Sequence, residues 1–372
     1  MESIFDQKRI DKLSHLDPNY QQIFHFMIQT MDNSQVEQNT SQKCFSHNLV
    51  YSIIQEYPFH CFAQAINYNN TLIAFGSKYY SKVIYQKNDK FKYLLQIKLH
   101  KNVVSTLNFF NDRSQLISGS YGSSILIHSL NLLSSSKHIA TLKEHTRLIT
   151  CLVVIQNSEN LLISGSSDKN IKFWTHSQNS CWSCTQTISE HLDQVNGLSL
   201  NQGNKQLISC GRDKQILIMD KSADQFWYVK QKIQENGFRI SFITTDIFAF
   251  QPFDGTHLFL YTLDPATGLF IKSRELAVSR SGQACQYFFP QVYVASKQLL
   301  VSKNGYWVNL IKFNFHSQGW DCKLEVELNF DQSGNFGNIF GTISNNGEFL
   351  VTWDCKSGTI EFRKLIYKQQ IE

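Results

Sequence analysis

The chain has 372 residues, of which 42% are hydrophobic and 13% aromatic, apolar material enough for a large core and too much for a disordered chain. Its net charge is +5, with Lys and Arg scattered rather than run together, so the pattern indicates neither nucleic acid nor a membrane surface as partner. No secretory leader and no apolar stretch of bilayer length can be read, and nine Cys in that setting point to reduced thiols, with the cytoplasm as the expected location and the nucleus not excluded.

In chain order, Asp17 before Pro18 reads as a helix N-cap followed by a first-turn proline. Tyr20, Ile23, Phe24, Met27, Ile28 and Met31 then fall on one face at helical spacing, predicting a short N-terminal amphipathic helix. Its apolar face has two readings, packing on the rim of the following domain or docking a partner. NSQVEQNTSQK (Asn33 to Lys43) is a polar linker, so residues 1–43 form one unit and residues 44–368 the main domain. HNLVYSIIQEY (His47 to Tyr57) has strong β character and predicts a strand.

From Ala63 to Tyr85 the runs AQAIN, TLIAFGS and KVIYQ are separated by turn residues. Three near-copies of one string follow: QLISGSYGSSILIH (Gln115 to His128), LLISGSSDKNIKFW (Leu161 to Trp174) and QLISCGRDKQILIM (Gln206 to Met219). Gly119, Gly165 and Cys210 mark the middle of these copies at steps of 46 and 45 residues. His100, His145 and His191 keep the same beat at steps of 45 and 46. Two independent landmarks on one period indicate a repeat architecture, in which each unit buries its apolar face on its neighbours. Beyond Arg239 the period blurs and alternation carries the reading. ISFITT, IFAFQ and HLFLYTL form one unit; QVYVA, QLLVSK and YWVNLIKF a second; IFGTIS, EFLVTW and TIEFRKL a third.

One repeat can be read strand by strand. LITCLVVI, LLISGS, IKFWT and WSCTQTI are short, rich in Ile, Val, Leu and Thr, and separated by the polar turns QNSEN and SDKN and a looser loop. Four such strands make one blade of a β-propeller. Seven blades at this period fill the stretch from Phe45 to Tyr367, predicting an all-β fold, a single seven-bladed propeller; six or eight blades remain alternatives. The strand around His47 to Tyr57 then either opens the first blade or, as favoured here, closes the ring as the outer strand of the last.

The repeats resemble the WD-repeat family. A blade of that family carries Gly-His near its start, an Asp in the turn between its second and third strands, and Trp-Asp at the end of the third strand. Here Glu144 and Glu190 stand where Gly is usual, before His145 and His191. The turn Asp residues are Asp168 and Asp213, and the closing pairs are Trp174-Thr175 and Met219-Asp220. The resemblance implies a structural network in which Asp accepts from His, His meets a strand hydroxyl (Ser164 or Ser209), and that hydroxyl meets the Trp indole. The Asp168 blade has all four parts, the Asp213 blade lacks the Trp, and the Gly119 blade has Gly122 and His128 in place of Asp and Trp.

No motif for catalysis appears: there is no G-x-S-x-G, P-loop or H-E-x-x-H, and no catalytic or cofactor-binding residue is assigned. Cys181-Trp182-Ser183-Cys184 is the only C-x-x-C, with His176 the only near third ligand, so no metal site is expected. The chain is therefore expected to be no enzyme and to bind no cofactor, an active site in the propeller channel being the remote alternative. The family resemblance implies partner binding on the face where two loop sets open. Lys101, Arg147 and Asp193 follow the three His landmarks, and Tyr121, Ser167 and Arg212 precede the turn position. These six are the candidate partner-binding residues of a scaffold or adaptor in a multiprotein complex.

Two narrower resemblances are present. The span from Asn204 to Lys364, with NKQLISCGRDKQILIMDKS, YFFPQVYVASKQLLVSKNGYWVNLIK and GEFLVTWDCKSGTIEFRK, is similar to WD-repeat proteins of ciliates. CWSCTQTISEH (Cys181 to His191) running into LDQVNGLSL resembles the WD-repeat subunit of the cytosolic iron–sulfur assembly targeting complex. That resemblance implies an adaptor presenting apo-proteins to iron–sulfur assembly components, with no cluster of its own.

Overall fold

A computed structural model describes residues 45–54, 61–78, 80–87, 90–98, 100–110, 115–130, 138–155, 161–176, 181–280, 289–330 and 338–367. These form seven antiparallel four-stranded sheets, the blades of a propeller. The helix expected from Asp17 onward lies outside the described residues, which contain no α-helix and only a 3-10 turn at Ala295–Lys297. No helix among them is long and apolar enough to cross a membrane.

Blade one contains Ala63–Ile66, Leu72–Gly76, Tyr80–Lys87 and Lys90–Lys98. Blade two contains Val104–Phe110, Gln115–Ser120, Ile125–Ser129 and His138–Leu142; blade three Ile149–Val154, Leu161–Ser166, Ile171–His176 and Trp182–Ile188. Blade four contains Val195–Leu200, Gln206–Gly211, Gln215–Lys221 and Trp227–Gln234; blade five Gly237–Phe242, Ile247–Pro252, His257–Leu263 and Phe270–Ala277. Blade six contains Val292–Val294, Leu299–Asn304, Trp307–His316 and Gly319–Asn329. Blade seven has Ile339–Ile343, Phe349–Asp354 and Thr359–Tyr367, and its outer strand is Phe45–Ile54 from the other end of the chain. Phe45 pairs with Tyr367 and Ile54 with Thr359, so the N-terminal strand closes the ring.

The strand pattern explains the sequence pattern. Second strands are covered on both faces, and every residue of Leu161–Ser166 is buried. Outer strands meet solvent on one side, and Trp227–Gln234 alternates in burial along its length. The core is seven apolar clusters, each lying between two neighbouring blades. Ile117, Ile127, Ile149, Leu162 and Trp174, for example, join blade two to blade three. This distribution makes blade spacing a packing matter. A Cβ on Gly119 would lie 2.7 Å from Ile149 Cγ2, and one on Gly165 2.8 Å from Val195 Cγ1. The glycine of the LIS-G string is therefore needed for close approach of the next blade's innermost strand.

Two side chains also tie outer strands across blade boundaries. Gln186 accepts from the Trp227 amide (2.9 Å) and donates to the Trp227 carbonyl (2.5 Å). Gln231 does the same to Phe270, at 2.8 Å for each bond. Each amide thus reads the backbone of the next blade's outer strand as a short two-bond ladder. Trp227 is held from the other side by stacking on Phe173, 5.6 Å between ring centroids.

Candidate functional site

In blade three the turn after Ser166 places Asp168 beneath the loop that carries His145. His145 Nδ1 lies 2.8 Å from Asp168 Oδ2, and Nε2 lies 2.7 Å from Ser164 Oγ. Trp174 Nε1–H donates to the same Ser164 oxygen at 2.8 Å. Because the carboxylate can only accept, His145 donates to Asp168 through Nδ1–H. The four groups therefore form one continuous chain, from indole to hydroxyl to imidazole to carboxylate. Burial pushes the Asp168 carboxyl up, but hydrogen bonds from His145 and from the Thr146 and Asn170 amides outweigh it and hold the group at about 2.

Blade four repeats the inner part of this arrangement. His191 Nδ1 lies 2.9 Å from Asp213 Oδ2, and Nε2 lies 2.8 Å from Ser209 Oγ. Met219 occupies the indole position and is fully buried, so Ser209 has no ring donor above it. In blade two His100 Nε2 lies 2.9 Å from Ser118 Oγ, while Nδ1 turns to Ser124 Oγ at 3.2 Å. Ser124 stands two residues past Gly122 and takes over the contact that an Asp would make. Blade five uses another pair: Tyr261, in the indole position opposite Phe248, donates to Glu235 Oε1 at 3.1 Å. Burial first, and then the Glu235 charge, push the Tyr261 phenol upward. Neither Ser124 nor the Tyr261–Glu235 pair could be found by matching residue types at the period, because both shift position or chemistry.

The six face residues lie in two loop sets at corresponding ends of blades two to four. Lys101, Arg147, Asp193 and Arg212 are exposed, and Tyr121 and Ser167 half-buried. One backbone bond recurs between the sets: Tyr121 N–H to Val103 O (2.9 Å), Ser167 N–H to Leu148 O (3.0 Å) and Arg212 N–H to Gln194 O (2.8 Å). Ser167 Oγ donates to Gln194 Oε1 at 2.6 Å, which joins blade three to blade four. Within each blade the two loops are thus held together, and those of blade three are joined to those of blade four. Sequence reasoning missed Lys169 and Lys214, exposed in the same turns, and Leu192, which is 69% exposed beside Asp193.

The central channel is lined by innermost strands of all seven blades, through residues such as Gln64, Asn108, Thr150, Asn196, Arg239 and Gln291. Its described lining contains no Asp, Glu, His, Lys or Tyr; Arg239 and Cys151 are its titratable groups. Arg239 donates through Nε to the Phe289 carbonyl at 2.8 Å. Desolvation pushes the Cys151 thiol up to about 12, away from the thiolate form. Among the described residues no group of three or more His, Cys, Asp or Glu could hold a metal ion.

Comparison with known proteins gives four matches. The family model "WD domain, G-beta repeat" matches residues 136–175 and 182–220, which run from the outer strand of blade two through blade three to the third strand of blade four. Pre-mRNA-processing factor 19 of Bos taurus is 30% identical over 117 residues, covering 32% of this chain and 20% of that protein. The factor of the same name from Oryza sativa subsp. japonica is 28% identical over 79 residues, 21% of this chain and 15% of that protein. The matched region thus spans a fifth or less of these relatives' length. A chain in a crystal structure of the mitotic checkpoint complex superposes with a TM-score of 0.68 at 14% identity, covering 92% of this chain and 98% of that one. At that identity the likeness concerns the fold.

Proposed function

We propose that this chain, a seven-bladed propeller carrying WD40 repeats, is a non-catalytic scaffold that binds other proteins on the loop face of blades two to four. The observation that supports this reading most is the hydrogen bonding that holds the two loops of each blade together and joins blade three to blade four. A rigid platform lowers the ordering cost of association, and the exposed Arg147 and Arg212 are the side-chain type favoured as interface anchors.

The test is a quantitative pull-down with the intact chain and with Arg147→Ala combined with Arg212→Ala. The double variant is expected to keep its melting temperature and to lose its partners, at about 2 kcal/mol or more of binding energy if both are anchors. An unchanged partner set at unchanged yield would overturn this face as the site and redirect attention to the segment around Phe24 and Met27. Iron–sulfur assembly factors among the captured proteins would select the narrower resemblance carried by Cys181 to His191.

A further inference from the structure

The loop face carries more exposed cations than unengaged carboxylates. Lys101, Arg147, Lys169, Arg212 and Lys214 are all exposed, and none has an ion pair, side-chain hydrogen bond or ring contact among the described residues. The carboxylates of the same loops are already engaged. Glu144 pairs with Lys172 at 3.7 Å and Glu190 with Lys232 at 2.8 Å. Asp168 and Asp213 are turned inward on His145 and His191, with side chains 4% and 3% exposed. Asp193 is left as the exposed carboxylate without an ion pair among the described residues of these loops.

Two further features mark the cations. Lys169 and Lys214 hold left-handed backbone, at φ 75° and 62°, in a turn position where Gly or Asn is cheaper. Their loops are also fixed: Ser166 Oγ donates to the Arg147 carbonyl at 3.3 Å, Ser167 reaches Gln194, and Gln194 holds the Arg212 turn. The charges of blades three and four therefore sit on one platform, with Leu192 as an apolar spot beside them.

We propose that this end of the propeller docks an acidic linear segment of a partner protein. Its Asp and Glu carboxylates would seat on Arg147, Arg212, Lys169 and Lys214, and one apolar side chain would rest on Leu192. The guanidinium fork binds a carboxylate through two parallel hydrogen bonds, and the lysines add point charges that steer association. The inference rests on the reading that this face is the interface and adds the chemistry of the occupant.

Fluorescence anisotropy with a labelled Glu-rich peptide carrying one central Leu tests it, with a Gln-for-Glu peptide as control. Arg147→Glu with Arg212→Glu is expected to weaken binding of the acidic peptide by about tenfold or more. Lys90→Glu with Lys92→Glu makes the same charge change on the exposed outer strand of blade one and is expected to alter it by less than about twofold. Equal loss from both pairs would reduce the effect to net charge and overturn the proposal, as would equal affinity for the Gln peptide. An oligonucleotide of matched charge that binds as well, and is lost with the same face substitutions, would overturn it in favour of nucleic acid. If Arg147→Ala with Arg212→Ala loses cellular partners while the acidic peptide fails to bind, the face stands and the acidic occupant falls.

Discussion

His128 holds in blade two the place that Trp174 holds in blade three, opposite Leu116 and Leu162 respectively. Trp174 donates to Ser164, whereas His128 is 2% exposed and its Nε2 meets no hydrogen-bond partner among the described residues. Desolvation first, and then the neighbouring His100 and His138, draw His128 down from 6.5 to about 4. Burial likewise brings His100 to about 4. The unfolded chain takes up these protons near pH 6.5 and the folded chain only near pH 4. This part of the stability is therefore complete above the upper value and is lost as pH falls toward the lower one. His128→Phe is expected to flatten the fall of the denaturation midpoint across that window, at a cost under about 1.5 kcal/mol near neutral pH. A fall as steep as in the parent chain would place the acid-sensitive unit elsewhere.

Asp168 acts at a lower pH. Its folded value is depressed from 3.8 to about 2, so its contribution is present above the upper value and lost as pH falls between the two. The deficit of Asp168→Asn relative to the parent should be largest near neutrality and close as the parent's own carboxylate titrates. Asp168→Ala strands the His145 N–H and should cost about 1–3 kcal/mol. Asp213→Ala is expected to cost less, since Met219 leaves that blade without the indole. Equal losses in denaturant melts would remove Trp174 from the account.

The glutamine bridges should be separable from the blades they join. Gln186→Ala and Gln231→Ala each remove two hydrogen bonds to the next outer strand, about 0.5–1.5 kcal/mol apiece. Hydrogen exchange should quicken at the Trp227 amide in the first variant and at the Phe270 amide in the second. Acceleration spread evenly over all blades would mean the bridges act on global stability alone.

Closure can be tested by truncation. Removing residues 1–43 leaves every described strand intact and should leave a soluble, folded ring. Removing residues 1–54 also strips the partner from Thr359–Tyr367 and exposes an unpaired edge, which should drive association visible in size-exclusion chromatography. Equal behaviour of the two truncations would show that the ring holds without its returning strand.

The 45-residue beat was legible where it coincides with packing. Gly119 and Gly165 repeat because a side chain there would strike the next blade, and the turn Asp of blades three and four repeats because its carboxylate serves both a His and two amides. Blades five to seven could be read only from alternation. Their rings and aliphatic side chains fill the same inter-blade clusters with different shapes, as Phe248, Tyr261 and Phe270 do next to Ile208 and Ile218. The outer strands Phe270–Ala277 and Gly319–Asn329 escaped notice because solvent on one side leaves them short of apolar residues. Lys169, Lys214 and Leu192 gave no periodic signal, since a residue facing outward owes nothing to the blade beneath it.

The pairing of Phe45 with Tyr367 bears on how the chain reaches its fold. Most strand pairs form between neighbours in sequence and can zip as soon as both are present. This one must wait until the last blade exists, and then span nearly the whole described chain to be made. Loop entropy grows slowly with length, so the cost lies less in final stability than in delay and in the exposure of an open edge meanwhile. Joining the ends that meet here and cutting between two blades would turn the slow contact into a local one. Such a circular permutant is expected to refold faster than the parent while unfolding at a similar denaturant concentration.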